Sequence, residues 1–192
     1  MRCVHTNPSL EQHIEKHSEA LGRSAVYEEK SHVSRLPKYL SVHFVRFYWR
    51  RDINRKTKIM RKVKFPFELD ARGFATSELT AQLDPAAGAL RDIQKAREER
   101  RRVRSRNPKA DADADTEEAR LRADEDAQFG ARVSPSLRAD AGSSETGLYD
   151  LVGIVTHKGA DADAGHYMAW SRREDAQAPG GLSDSWYRVR CC

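Results

Sequence analysis

The sequence predicts an α+β fold, with an N-terminal helix and an antiparallel sheet. Three observations lead to this prediction. A short amphipathic pattern follows Ser9, a dense run of β-branched and aromatic residues spans 40–49, and three strand-like segments follow Gly147. At 192 residues the chain fits one ordinary domain or part of a larger one. Because a third of its residues are charged, the core must be concentrated in these few segments.

The N-terminal segment "NPSLEQHIEKHSEALGR" predicts a short amphipathic helix. Leu10, Ile14 and Leu21 share one helical face, at positions i, i+4 and i+11. Ser9 and Gln12 have the spacing of a capping box, and Gly22 is a suitable C-terminal stop.

Two long strands are predicted next, forming a hairpin. Leu40 to Trp49 is so rich in β-branched and aromatic residues that a strand buried on both faces is favoured, and this is the best core candidate in the chain. The polar stretch "RDINRKTK" then predicts a turn. "IMRKVKFPFELD" follows with alternating apolar and charged residues, and Pro66 marks an edge or the end of pairing.

Residues 91–145 are predicted to be a charged insertion on the surface without regular structure. Residues 91–106 hold eight basic and three acidic residues, a net charge of +5, whereas 111–126 hold eight acidic and two basic residues, a net charge of −6. A charged helix stabilised by i, i+4 pairs is the alternative, but the apolar residues are few. The simplest interpretation of the insertion is a solvated spacer.

The C-terminal part predicts a small antiparallel meander. "GLYDLVGIVTHKG" is expected to be a central strand, followed by "HYMAWSRR" and "DSWYRVR". The first two strands are joined by "KGADADAG", a loop bracketed by Gly159 and Gly165. Such a composition suits a loop that moves over a site.

Overall charge and cysteine content indicate which partners and which cellular compartment are favoured. The formal charge is +5, from 34 basic and 29 acidic residues that are interspersed, so nucleic-acid binding through Arg91 to Arg106 is a weak hypothesis. The three cysteines are Cys3, Cys191 and Cys192, which favours a reducing compartment and hence the cytoplasm or nucleus. No signal peptide or membrane span is expected, because the chain has no sufficiently long apolar run.

His166 is the residue with the clearest chemical potential. It stands where a glycine-ended loop becomes a strand, so its imidazole could act as a general base or simply be a structural histidine. His157 and His166 flank Asp161 and Asp163, but this spacing is unlike that of zinc sites. We therefore expect neither a metal nor a cofactor.

The order of the motifs adds a family resemblance. "RLPKYLSVHFVRF", "KVKFPFELD" and "YDLVGIVTHKG…GHYMAW…WY" resemble the ubiquitin-specific protease family of cysteine deubiquitinases. The resemblance implies part of a papain-like fold, with the palm sheet and an N-terminal helix, and a catalytic role for His166 as the general base. It also implies a substrate-binding role for the other histidine-box residues: His157, Gly159, Gly165 and Tyr167.

A branch of that family is similar in further detail. "HIEKHSEALGRSAVY", "SRLPKYL" and "HFVRFYWRRD" look closest to the proteasome-associated members. The resemblance therefore implies ubiquitin, ubiquitinated proteins and the proteasome regulatory particle as partners, and hydrolysis of the isopeptide bond after the ubiquitin C-terminal glycine.

Two departures from the family pattern are visible in residues 1–192. No cysteine box of the Gly-Asn-Thr-Cys-Tyr type occurs, and none of the three cysteines has a matching context. Arg190 stands where the third catalytic residue is expected, within a divergent tail at 189–192, and a cation cannot accept the imidazole N–H. Residues 1–188 are therefore expected to be a partial catalytic domain that is inactive alone. The alternative is a catalytically dead ubiquitin-binding module.

Overall fold

The computed structural model describes residues 12–106, 112–160, 164–174 and 182–190. The strands are β1 Gln12–Ser18, β2 Arg23–Glu29, β3 Phe47–Arg50, β4 Arg55–Lys58, β5 Glu68–Asp70, β6 Leu148–Asp150, β7 Gly153–Lys158, β8 His166–Glu174 and β9 Leu182–Arg190. The helices are a 3-10 turn at Arg72–Phe74, α1 Ser77–Arg106, α2 Ala112–Arg132 and α3 Pro135–Ala139. These helices and antiparallel ribbons confirm the α+β class.

The predicted N-terminal helix is wrong, because its residues form a β-hairpin. β1 pairs antiparallel with β2, from Gln12↔Glu29 to Ser18↔Arg23. Gly22, expected to stop a helix, lies in the turn with a φ of 59°, a left-handed conformation suited to glycine. The helical interpretation depended on three apolar residues, whereas "SAVY" in β2 has the β-branched and aromatic residues that strands favour.

The chain divides into two compact units. The first unit contains, among the described residues, 12–42, 70–91 and 115–148. Its core lies on one face of α1, where Leu79, Leu83, Ala86 and Ala87 are buried at helical spacing. Other buried apolar side chains of this unit are Leu36, Ala71, Ala75, Val133 and Leu137.

The segment around Leu36 is held by backbone hydrogen bonds rather than by a strand. The Val33 amide donates to the Phe74 carbonyl, and the Ser144 amide donates to the Leu36 carbonyl at 2.8 Å each. Leu36, from the "LP" motif, is thus enclosed between the start of α1 and the loop after α3.

The charged segment 91–145 is mostly helical, because it contains the end of α1 and the whole of α2 and α3. The prediction of an insertion without regular structure is therefore wrong. The alternative of a charged helix with i, i+4 pairs fits: Arg102 contacts Glu98, and Arg122 contacts Glu118, both at 3.2 Å. Neither long helix, in the part of the chain that the structure describes, has a stretch apolar enough to cross a membrane.

The second unit contains the remaining described residues and most of the strands. The predicted hairpin of two long strands is wrong in its length and in its second strand. β3 and β4 pair over four residues, from Phe47↔Lys58 to Arg50↔Arg55. β4 lies within "RDINRKTK", which was predicted to be a turn, and the predicted strand "IMRKVKFPFELD" is a strand only at Glu68–Asp70. The prediction of burial on both faces is also wrong. Val45, Tyr48 and Trp49 are exposed, and the sequence signal for a core came from side chains that this unit leaves uncovered.

The C-terminal meander is confirmed as a three-stranded antiparallel sheet in the order β7-β8-β9. One detail differs, since β7 was expected to be central and β8 occupies that position. β9 follows β8 with a register shift between Arg172 and Glu174. This sheet carries the histidine box.

Candidate functional site

The β7–β8 hairpin brings the histidine-box residues together. His157 pairs with Tyr167, and Lys158 pairs with His166, at the end of the ladder where the two strands meet the connecting loop. Gly159 and Gly165 begin and end this loop. Asp161 and Asp163, weighed above as metal ligands, lie outside the described residues.

Gly165 is required at its position for two independent reasons. Its φ is 130°, in the region that side chains rarely adopt, and Gly159 has a similar φ of 152°. A Cβ at Gly165 would lie 2.4 Å from the Lys158 carbonyl oxygen and 2.7 Å from His157 Nε2. The return of the loop therefore packs directly on the His157 imidazole.

His157 is half-buried in a cluster of rings. Its ring centroid lies 5.5 Å from that of Phe47, edge to face, and 5.0 Å from that of Tyr167. Both geometries are typical of favourable aromatic contacts. The sequence predicts a substrate-binding role for His157 and Tyr167, and the structure places them together on one face of the sheet.

Lys58 is the residue of this site that sequence reasoning missed. It is the last residue of β4, and its ammonium donates to the carbonyl oxygens of His157 and Gly159 at 2.7 and 2.8 Å. Lys58 Nζ also lies 3.4 Å from His157 Nδ1 and 5.7 Å from the centre of the Phe47 ring. A lysine at the end of a polar stretch carries no sequence signal for such a role.

His166 lies on the opposite face of the hairpin from His157 and Tyr167. Successive side chains of a strand point to opposite faces, so His166 shares its face with Lys158 and Met168. His166 is exposed, and no described residue makes a hydrogen bond to its ring. Its imidazole is therefore accessible to solvent.

β9 lies next to β8 and ends in the first residues of the divergent tail. Arg190 pairs with Met168, two residues from His166, and Arg188 pairs with Trp170. Arg188 also lies over the Trp170 ring, 6.0 Å from its centre. Among the described residues, the pairing of β8 with β9 thus extends to within two residues of His166.

No group of three or more metal-binding side chains occurs among the residues that the structure describes. Cys3, Cys191 and Cys192 fall outside those residues. The described part of the site therefore offers one exposed imidazole on one face, and an aromatic cluster with an ammonium on the other.

The match to known proteins decides the family. A model of the family described as ubiquitin carboxyl-terminal hydrolase matches residues 2–190, which is nearly the whole chain. The chain belongs to this family. The matched range includes every strand and helix described above, the β7–β8 hairpin among them.

Individual members of the ubiquitin carboxyl-terminal hydrolase family are similar over most of this chain. Ubiquitin carboxyl-terminal hydrolase 6 of Schizosaccharomyces pombe is 47% identical over 180 residues, covering 93% of this chain and 37% of the relative. Ubiquitin carboxyl-terminal hydrolase 7 of Arabidopsis thaliana is 38% identical, covering 88% and 34%. Ubiquitin carboxyl-terminal hydrolase 14 of Caenorhabditis elegans is 32% identical, covering 86% and 32%. The chain spans about a third of the length of these relatives.

Proposed function

We propose that this chain supplies the histidine-bearing part of a thiol-dependent deubiquitinase, which hydrolyses isopeptide bonds after the C-terminal glycine of ubiquitin. One observation carries the proposal: within a family match over residues 2–190, an exposed imidazole stands at the loop end of the β7–β8 hairpin. Ubiquitin and ubiquitinated proteins are the corresponding partners.

In the proposed mechanism His166 is the general base. It accepts the proton of a cysteine thiol, and the resulting thiolate attacks the carbonyl carbon of the ubiquitin C-terminal glycine. His166 then donates that proton to the lysine amine, the amine departs, and an acyl-enzyme remains. Water, deprotonated by the same imidazole, hydrolyses the thioester and restores the thiol.

The chain of residues 1–192 is proposed to be inactive alone. None of its three cysteines stands in a cysteine box, and Arg190 occupies the position of the residue that would orient the imidazole. The nucleophile and the orienting residue are therefore proposed to be absent from this sequence, while the base is present.

Association with the proteasome regulatory particle is a finer proposal, with action in the cytoplasm or nucleus. It is supported by the similarity of "SRLPKYL" and "HFVRFYWRRD" to the proteasome-associated branch. Co-sedimentation of the purified chain with purified regulatory particles tests it. Equal recovery with and without the particles would contradict it.

Turnover of ubiquitin bearing a fluorogenic C-terminal amide tests the inactivity of the chain. The purified 192-residue protein is expected to release no fluorophore above the rate of buffer. Release that disappears in a His166→Ala variant would show instead that residues 1–192 suffice for catalysis.

A second candidate function is a catalytically dead ubiquitin-binding module, and one observation favours it. Val155, Tyr167, Tyr187 and Val189 share one face of the sheet and are each at least half exposed. Exposed apolar faces of this kind are found at protein interaction sites. Titration of labelled ubiquitin separates the two functions, because saturable micromolar binding supports the module and no binding supports a part of a larger enzyme.

A further inference from the structure

Lys58 makes an unusual set of contacts for a lysine near the surface. Its half-buried ammonium faces two backbone carbonyls, one aromatic ring and one imidazole nitrogen, all within the second unit. No described carboxylate pairs with it. By contrast, the ammonium of Lys30 pairs with Glu28 at 2.9 Å. The ammonium of Lys58 therefore binds backbone carbonyl groups rather than a carboxylate.

The two carbonyls that Lys58 binds belong to the residues on either side of Lys158. His157 lies within β7, and Gly159 is the first residue after the strand. Hydrogen bonds from a charged donor are stronger than those between neutral groups. Lys58 thus fixes the direction in which the chain leaves β7 and enters the loop.

The loop returns onto the same cluster. Gly165 packs against the His157 imidazole and the Lys158 carbonyl, and His166 is the next residue. A continuous series of contacts therefore leads from Lys58, through His157 and Gly165, to the backbone of His166.

We propose that Lys58 is a positioning residue, which holds the histidine-box hairpin so that His166 is presented at a fixed place. The proposal rests on the proposed role of His166 as the base. Lys58 reaches neither His166 nor its face of the sheet, so it acts only through the backbone and through His157.

The proposal has a spectroscopic consequence. An ammonium can only donate hydrogen bonds, so Lys58 favours the His157 tautomer in which Nδ1 keeps its lone pair and Nε2 carries the proton. Nitrogen-15 spectra of histidine-labelled protein distinguish the two tautomers. Observation of the Nδ1–H tautomer in the unsubstituted chain would overturn the proposal without any variant being needed.

Substitution of Lys58 tests the positioning itself. Lys58→Met keeps the apolar stem but loses both donations, so we expect hydrogen exchange of the Lys158 and His166 amides to accelerate at least about tenfold. Exchange in the β8–β9 ladder should remain slow. Lys58→Arg retains a cation with several donors and should restore most of the protection.

Lys62→Met is the matched control, because Lys62 is an exposed lysine four residues further along the same segment. It is expected to leave exchange and the His157 tautomer unchanged. If Lys58→Met behaves like Lys62→Met, the proposal is wrong. These measurements do not involve turnover, so a failure here is distinguishable from a failure of the proposed enzymatic function.

Discussion

At the scale of residues, the close packing around Gly165 determines the geometry of the candidate site. The Gly165 backbone lies so close to the His157 ring and the Lys158 carbonyl that no larger residue fits. Glycine is thus a steric requirement at the position directly before His166.

Gly165→Ala is expected to destabilise the second unit by about 1–3 kcal/mol, because the new Cβ adds both a clash and backbone strain. Urea unfolding followed by tryptophan fluorescence measures this, since Trp170 and Trp186 lie in the same sheet. Gly88→Ala is the control. Gly88 is exposed within α1 with no heavy atom near its added Cβ, so alanine should be neutral or slightly stabilising. Equal effects of the two substitutions would refute the steric argument.

Asp70 gives the first unit a defined pH dependence. Hydrogen bonds from Arg72, with a further one from Arg91, lower the pKa of Asp70 to about 2. The pKa of Asp70 is lower in the folded chain than the value of about 3.9 in an unfolded one, so the ionised carboxylate stabilises the fold. This stabilisation is complete above pH 4. It is lost as the pH falls from about 4 to 2. After allowance for solvent screening it is about 1 kcal/mol.

Asp70→Asn should flatten the fall in stability between pH 4 and pH 2, measured by urea unfolding followed by far-UV circular dichroism. Asp92→Asn replaces an exposed carboxylate of α1 and is expected to keep the pH dependence of the unsubstituted chain. A profile for Asp70→Asn that matches that of Asp92→Asn would show that the Asp70 ion pairs do not contribute.

At the scale of elements, α1 shows that a helix with a weakly hydrophobic sequence can still form a core. Within the first unit its buried face contains two leucines and two alanines, so the apolar pattern from Ala71 to Leu90 is faint and Pro85 further obscures the helix. Alanine buries little area but permits close packing of the surrounding backbone. The core of the first unit therefore lies where the sequence signal is weak.

Leu83→Ala is expected to destabilise the first unit by about 3 kcal/mol, because Leu83 is 0% exposed and its removal leaves a cavity. Thermal unfolding followed by circular dichroism measures the effect. Val103→Ala, which truncates a side chain 57% exposed on the same helix, should change stability by less than about 0.5 kcal/mol. A small effect at Leu83 would contradict the assignment of the core to this face.

The elements differ in how far the sequence could predict them. The C-terminal meander was predictable because its segments are rich in β-branched and aromatic residues and are separated in sequence by glycine-containing stretches. The N-terminal hairpin was not, since three apolar residues fit both a helix and a strand, and Gly22 suits either a helix stop or a turn. In the charged helices, pairs such as Arg122 with Glu118 supply part of the stability that composition alone did not indicate.

At the scale of the whole molecule, much apolar surface is uncovered. Val155, Tyr167 and Met60 are exposed at 72%, 56% and 83%. The sequence predicted that several of these residues lie in strands. It did not predict that they are exposed, because burial depends on what packs against them.

The family was predictable because its motifs are local, whereas Lys58 was not, because its carbonyl partners lie 99 to 101 residues away in sequence. The proposed catalytic assignment makes His166 the essential histidine and His157 a supporting one. Their positions on opposite faces of one hairpin allow the two roles to be separated by experiment.

The most direct measurement is made in the relative from Schizosaccharomyces pombe, which is named as a ubiquitin carboxyl-terminal hydrolase. Residues 153–171 are grafted in place of the corresponding hairpin of the Schizosaccharomyces pombe relative, and turnover of ubiquitin with a fluorogenic C-terminal amide is recorded. The graft is expected to keep at least about a tenth of the parental turnover. His166→Ala within it should lower turnover by at least about 10³-fold, and His157→Ala by far less. A folded graft that remains active after His166→Ala would contradict the assignment of His166 as the base.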